Sequence, residues 1–212
     1  MANWMIYAIG FIAQILFSSR MVVQWVISEK NKKVLTPRLF WQLSLLASFL
    51  LFVYGWLRDD FAIMLGQAIT YFIYIRNIQL QGEWLKLPKA FRIFLWIFPL
   101  LIIVYGYNNN SYDLRDFFQN ENIPIWLLLL GSIAQVIFTF RFVYQWLYSE
   151  TKKTSSLPFG FWLLSLIGAS LILTYAIFRK DPVLFAGHTL GLIVYLRNLF
   201  ILKNEVHDVV EK

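Results

Sequence analysis

Four arginines sit in or beside stretches that are otherwise almost wholly apolar. Arg20 and Arg141 fall well inside such stretches, with Gln24 and Gln145 one helical turn further on. Arg76 and Arg197 lie near the ends of later ones, each followed by an asparagine, Asn77 and Asn198. A guanidinium is a planar fork of donors that binds phosphate or carboxylate oxygens bidentately, so converging arginines with amides beside them suit an oxyanion. At about 100° per residue, Gln24 lies only about 40° round a helix from Arg20, whereas Gln14 is about 120° away. An arginine inside a membrane is costly enough that it should face a bundle interior, a cavity or a partner. The competing reading is structural: Arg20 and Arg141 pair with Glu29, Glu150 or helix-end carbonyls and only fix packing. Spacing leaves both readings open. Gln67 and His188 fall near the middle of apolar stretches, where, with Trp41 and Trp162, they could line a central site. His188 reads equally as a histidine hydrogen-bonded between helices.

The chemistry these residues do not offer narrows the field. With two histidines and no cysteine, neither a metal centre nor a disulfide framework is expected. There is no nucleophile elbow, glycine-rich phosphate loop or Asp-x-Asp pair. The sequence therefore predicts no catalytic residue, no cofactor and no enzyme.

The elements that position these residues come from a duplication. With a constant offset of 121 positions, residues 10–81 align without a gap on 131–202, and about 26 of the 72 aligned positions are identical. The identities include Gly10/Gly131, Gln14/Gln135, Arg20/Arg141, Gln24/Gln145, Ser28/Ser149, Glu29/Glu150, Pro37/Pro158, Trp41/Trp162, Tyr54/Tyr175, Arg76/Arg197 and Asn77/Asn198. Gln67 stands opposite His188. Such a period defines the architecture before any other feature does.

Hydrophobic residues make up 59% of the 212 and charged ones 15%, with a mean hydropathy of +0.59, too little polar material to cover a soluble globule. A hydrocarbon core of roughly 30 Å needs about 20 apolar residues per helix. Seven segments qualify, approximately 5–27, 39–57, 61–80, 91–107, 124–148, 159–178 and 182–202. The fold class predicted is thus all-α integral membrane, with seven transmembrane helices in a 3+1+3 plan of parallel repeats. Residues 1–81 form a first three-helix bundle and 82–122 a linker carrying the fourth helix. Residues 123–203 form a second bundle and 204–212 a cytoplasmic tail. Pro37 and Pro158 start the second helix of each bundle. Gly66, Gly187, Ala47, Gly168 and Ala169 are read as permitting close helix packing. With the N-terminus outside, fifteen of the nineteen basic residues fall on the cytoplasmic side, so the positive-inside rule predicts N-out and C-in. The net charge of +7 is then topology and attraction to anionic lipid, not a sign of nucleic acid.

The twice-occurring Gly-x-Ile-Ala-Gln, Arg-x-Val-x-Gln-Trp, Ser-Glu, Pro-x-x-Phe-Trp-x-x-Ser and Tyr-x-Arg-Asn pattern resembles the lipid-A biosynthesis N-terminal domain family. That bacterial family looks related to the PQ-loop, SWEET and SemiSWEET transporters, and the seven-helix plan is SWEET-like. The Pro-Gln hinge of PQ-loop proteins is here Ala13-Gln14 and Ala134-Gln135, so the proline of that hinge is missing. The resemblance implies alternating access between two bundles in the bacterial inner membrane. Joined to the arginines, it predicts a transporter or flippase for a phosphate-bearing lipid-linked sugar, such as undecaprenyl-phosphate-sugar, in lipid A or envelope-glycan modification. Arg20, Arg141, Arg76 and Arg197 would bind phosphate, supported by Gln24, Gln145, Asn77 and Asn198, with Gln67 and His188 at the sugar. A SWEET-like carrier of free sugar and a non-catalytic membrane subunit of a polyprenyl-phosphate glycosyltransferase are the alternatives. The same domain is found attached to lipid-A-disaccharide synthases, an activity the sequence rejects for this chain because no glycosyltransferase domain is present. Partners expected are the lipid-linked sugar phosphate or another anionic lipid, a membrane glycosyltransferase, and at most a second copy of the chain.

Overall fold

A computed structural model describes residues 3–57, 61–108, 124–180 and 182–210, and every regular element among them is helical. The α-helices are α1 (Asn3–Asn31), α2 (Arg38–Leu57), α3 (Phe61–Leu80), α4 (Lys89–Asn108), α5 (Ile125–Lys152), α6 (Phe159–Arg179) and α7 (Pro182–Val210), with a 3-10 turn at Trp84–Lys86. Residues 109–123, which include the end of the linker expected over 82–122, lie outside the described residues.

Among the described residues, four helices are long and apolar enough to cross a membrane: α1 from Trp4, α2, α5, and α6 to Phe178. At 1.5 Å per residue, 20 residues span roughly the 30 Å of a hydrocarbon core. The described part of the chain is therefore all-helical, with four helices able by length and composition to cross a membrane.

Many large apolar side chains are exposed, while several polar ones are buried beside the apolar core. On α5, Ile133 is 54%, Val136 67% and Leu147 53% exposed, while Arg141, Gln145 and Ser149, one turn apart, are buried. On α1, Phe11, Ile15 and Val26 face out, and Arg20, Gln24 and Ser28 face in. Lipid chains are as apolar as leucine, so apolar side chains can face them, while polar groups gain from the bundle interior.

Local signals duplicated in the sequence produce duplicated structure. α1 is followed by Lys32 in the left-handed region (φ 50°), and α5 is capped by Lys153 (φ 55°). In the second turn of each pair, Phe40 N–H donates to Pro37 O and Phe161 N–H to Pro158 O, both at 3.0 Å, so each proline opens the helix that follows. Gly10 lies against the Tyr54 ring and Gly131 against the Tyr175 ring. A methyl added at either would come within 3.0 Å and 2.8 Å of those rings respectively. Gly168 and the buried Ala169 likewise admit α5, since a methyl on Gly168 would lie 2.9 Å from the Phe138 Cα. Gly66 is different, because nothing lies within 4 Å of its missing methyl.

The chain packs as two compact units, 1–17 with 41–122 and 18–40 with 123–212, so α1 contributes its first half to one and its second half to the other. In the first unit, Phe52, Met64 and Ala68 form a core closed by Trp56 and Phe98. α4, which has no counterpart in the repeat, joins it through Phe98 against Phe49 (4.7 Å) and Trp96 stacked on Phe72 (5.4 Å). In the second unit α6 packs against both α5 and α7.

Candidate functional site

Because the second half of α1 belongs with α5, α6 and α7, one arginine from each repeat falls in the same unit. Arg20 is 4% and Arg141 5% exposed. Arg20 lies over the rings of Phe40 (5.0 Å to the centroid) and Phe142 (5.3 Å). Arg141 lies over Phe138 (3.4 Å), Phe142 (4.7 Å), Phe161 (5.7 Å) and Tyr195 (5.7 Å), and its Nη1 donates to the Tyr195 hydroxyl at 3.2 Å. Both guanidiniums flank Phe142, and the two distances to that ring, 5.3 and 4.7 Å, bound their separation at 10.0 Å. His188 packs edge-on against Phe138 (5.0 Å), and Trp162 closes on Phe161 (5.0 Å) and Tyr195 (6.2 Å). The result is an aromatic box around Arg141 with a second cation at its wall.

Electrostatics makes this a costly arrangement. Withdrawing one ion from water costs several kcal/mol even after relaxation, and a desolvated cation–π contact returns about 2 kcal/mol. Two like charges at most about 10 Å apart at an effective dielectric of about 20 also repel by roughly 1.7 kcal/mol or more. The carboxylates proposed as partners have other contacts. Glu29 is held by Arg197 through a bidentate pair, with Nε at 2.7 Å and Nη2 on the other oxygen. Glu150 accepts from Trp146 Nε1 (3.2 Å) and pairs with Lys153 (3.4 Å).

The amides one turn on are used inside the protein. Gln24 Nε2 donates to Ser28 Oγ (2.9 Å), Leu35 O (3.3 Å) and Asn198 Oδ1 (2.8 Å), and Asn198 Nδ2 donates back to Gln24 Oε1 (3.2 Å) and to Val194 O (2.8 Å). Ser28 Oγ in turn accepts from Leu35 N–H at 3.0 Å. The second repeat builds the same clasp: Gln145 Nε2 donates to Ser149 Oγ (2.8 Å) and Ser156 O (2.9 Å), and Ser156 N–H donates to Ser149 Oγ (3.3 Å). The Gln-x-x-x-Ser spacing thus ties each long helix to the loop that leaves it. Gln24 with Asn198 also joins α1 to α7, helped by Arg197 with Glu29 and, just past α1, by Lys33 with Glu205 (3.4 Å).

The remaining sequence candidates belong to the first unit. Arg76 Nη1 donates to Gln79 Oε1 (3.1 Å), and buried Asn77 donates to Ile73 O (2.9 Å). Trp41 is fully buried beside Tyr74 (5.9 Å). The backbone carbonyl of Gln67 accepts from Ser48 and Thr70, both at 3.3 Å, while its buried side-chain Oε1 has no partner among the described residues. A shallow cleft of about 390 Å³ on this unit is lined by Lys89, Arg92, Ile93, Trp96 and Ile97.

Sequence reasoning did not single out Ser28 and Ser149 for this role, nor the rings that receive the arginines. The signal for the serines and for Phe40/Phe161 was their identity across the repeat. Phe142 has Met21 as its counterpart and carried no such signal.

The Lipid A Biosynthesis N-terminal domain model matches residues 9–79 and 130–200, the two copies of the repeat. The lipid-A-disaccharide synthase of Chlamydia pneumoniae is 30% identical over 209 residues, which is 95% of this chain and 34% of that enzyme. The synthase of Chlamydia felis is 31% identical over 93% of this chain and 33% of the enzyme, and that of Chlamydia trachomatis serovar D is 27% identical over 94% and 34%. The chain spans about a third of the length of these curated relatives. No solved structure matches it.

These relatives correct two expectations. The sequence reading made the chain a transporter or flippase of a lipid-linked sugar phosphate, with a free-sugar carrier and a non-catalytic subunit as alternatives, and it rejected enzyme status. The matched relatives instead bear the name of an enzyme of lipid A biosynthesis. The error has a physical source: repeated apolar helices with buried cations serve a membrane segment of an enzyme as well as a carrier. Catalytic motifs missing from a chain that covers one third of those relatives also say nothing about the rest of them. With two thirds of its residues matched in two segments, the chain belongs to the Lipid A Biosynthesis N-terminal domain family, carrying two copies of that domain in tandem.

Proposed function

We propose that this chain acts in lipid A biosynthesis as the membrane domain of a lipid-A-disaccharide synthase. The observation that carries the proposal is the match of 93–95% of the chain to one third of enzymes bearing that name. An enzyme that builds a disaccharide on a lipid meets an acylated substrate whose chains stay in the bilayer. Outward-facing apolar helices around a polar interior keep a catalytic domain at that boundary. In this reading α3, α4 and α7 cross the bacterial inner membrane together with the four more apolar helices, N-terminus outside and C-terminus inside, as the distribution of Lys and Arg favours.

The test is disaccharide formation in membranes from cells depleted of the chain, followed by thin-layer separation of radiolabelled lipid products. Loss of the disaccharide with build-up of its monosaccharide lipid precursor, restored by re-expression, is the expected result. Unchanged disaccharide synthesis in depleted membranes refutes the proposal.

A further inference from the structure

We propose that the cleft on α4 holds an anionic lipid, with Lys89 and Arg92 on its phosphate and an acyl chain along Ile93, Trp96 and Ile97. The inference rests on the reading above that α4 crosses the membrane, and it names a lipid contact of that helix.

Three observations converge. The cleft has a volume of about 390 Å³, within the roughly 300–1,000 Å³ usual for small-molecule sites. Its lining residues follow the spacing i, i+3, i+4, i+7, i+8, so they share one face of α4, with both cations at one end and only apolar side chains beyond them. That division matches an amphiphile with a charged head. The cations are also available. Lys89 is exposed and Arg92 half-buried, the Arg92 Nε is buried without a hydrogen-bond partner, and among the described residues neither side chain has an ion pair. Lys86, three residues earlier, is by contrast taken by Glu83 at 2.8 Å. A guanidinium fork with an ammonium beside it suits phosphate oxygens. Trp96, stacked on Phe72 at 5.4 Å, gives the cleft an apolar wall already in place.

The length of the apolar stripe is the third observation, and it favours a lipid over free phosphate. Beyond Ile97 the same face continues through Leu100, Leu101 and Val104, which are 50%, 61% and 66% exposed. From Ile93 to Val104 the helix rises about 16 Å, at 1.5 Å per residue. One leaflet of a roughly 30 Å hydrocarbon core is about 15 Å thick. The two cations therefore stand at headgroup level when an acyl chain lies along the stripe.

The chain has no cysteine, so Leu101→Cys supplies a single attachment point for a bimane fluorophore on the stripe. The labelled full chain is reconstituted in phosphatidylcholine vesicles, and quenching is measured with phosphatidic acid or phosphatidylcholine brominated midway along the acyl chains. Each basic residue beside an anionic headgroup is worth about fivefold in affinity. Phosphatidic acid is therefore expected to bind next to the label roughly twentyfold more tightly than phosphatidylcholine. Lys89→Gln and Arg92→Gln should each lower that preference by about fivefold, and Arg92→Lys, which keeps the charge without the fork, by less. Lys152→Gln, at an exposed lysine ending α5, is expected to leave it unchanged. Equal quenching by the two lipids, an unchanged preference in both glutamine variants, or an equal loss in Lys152→Gln overturns the site while leaving α4 in the membrane. No quenching by either lipid overturns the membrane placement of α4 as well. Abolition of the preference by inorganic phosphate shows a site for the free anion and overturns the lipid assignment. Should Arg92→Gln not fold, the native preference and Lys89→Gln, at an exposed position, decide. Absence of the preference in a chain on which disaccharide synthesis depends removes the site alone. A preference in a chain dispensable for synthesis removes only the proposed function.

Discussion

Asn198→Ala tests whether the repeat's polar residues hold the bundle together. Asn198 is fully buried and exchanges two hydrogen bonds with Gln24, at 2.8 and 3.2 Å, joining α7 to α1 across 174 residues of sequence. Hydrogen bonds between membrane helices average roughly 0.6 kcal/mol each. Gln24 Nε2 keeps Ser28 and Leu35 after the change, but Oε1 loses its partner, and an orphaned buried acceptor costs about 1–2 kcal/mol more. The expected destabilisation is therefore about 2–3 kcal/mol, or a fall of on the order of 4–12 °C in melting temperature for a chain of this size. The assay is unfolding of the purified chain in mixed micelles, followed by helical circular dichroism, in a double-mutant cycle with Gln24→Ala. A coupling energy of about 0.6–1.7 kcal/mol is expected. Additivity within about 0.3 kcal/mol would mean that the two amides do not bond in the folded protein, and the clasp reasoning would fail.

Two glycines make a matched pair. Gly168→Ala sets a methyl 2.9 Å from the Phe138 backbone and should destabilise by about 1–3 kcal/mol, as overpacking does. Gly66→Ala meets open space in the interior of α3 and should stabilise by about 0.5–1 kcal/mol; micellar unfolding midpoints moving in the same direction would contradict both assignments. Lys153→Gly relieves a left-handed backbone position (φ 55°) at the end of α5 and is expected to raise stability by about 0.5–1 kcal/mol. Glu29→Gln breaks the exposed pair with Arg197, and its effect on the midpoint should shrink as salt rises from low ionic strength to about 1 M, where the screening length is roughly 3 Å. A salt-independent difference would show that the pair does not act through charge.

Much of this molecule was legible in the chain. The 121-residue offset and the apolar stretches announced a duplicated helical membrane protein, because hydrocarbon leaves the backbone no option but to bond within its own helix. The same offset announced that Arg20/Arg141, Gln24/Gln145 and Ser28/Ser149 have equivalent places. It could not say what each place does. Spacing along a helix tells which residues share a face, and the neighbour that face meets is set by packing. Only the tertiary structure divided α1 between two units, brought Arg20 to the Phe142 ring that Arg141 also covers, and gave Glu29 to Arg197. The same packing turned the glutamines toward serines, carbonyls and, for Gln24, Asn198. A one-dimensional pattern carries periodicity and charge; which buried donor meets which acceptor is decided by how whole helices fit, since a polar group shut away from water is costly unless it finds a partner there.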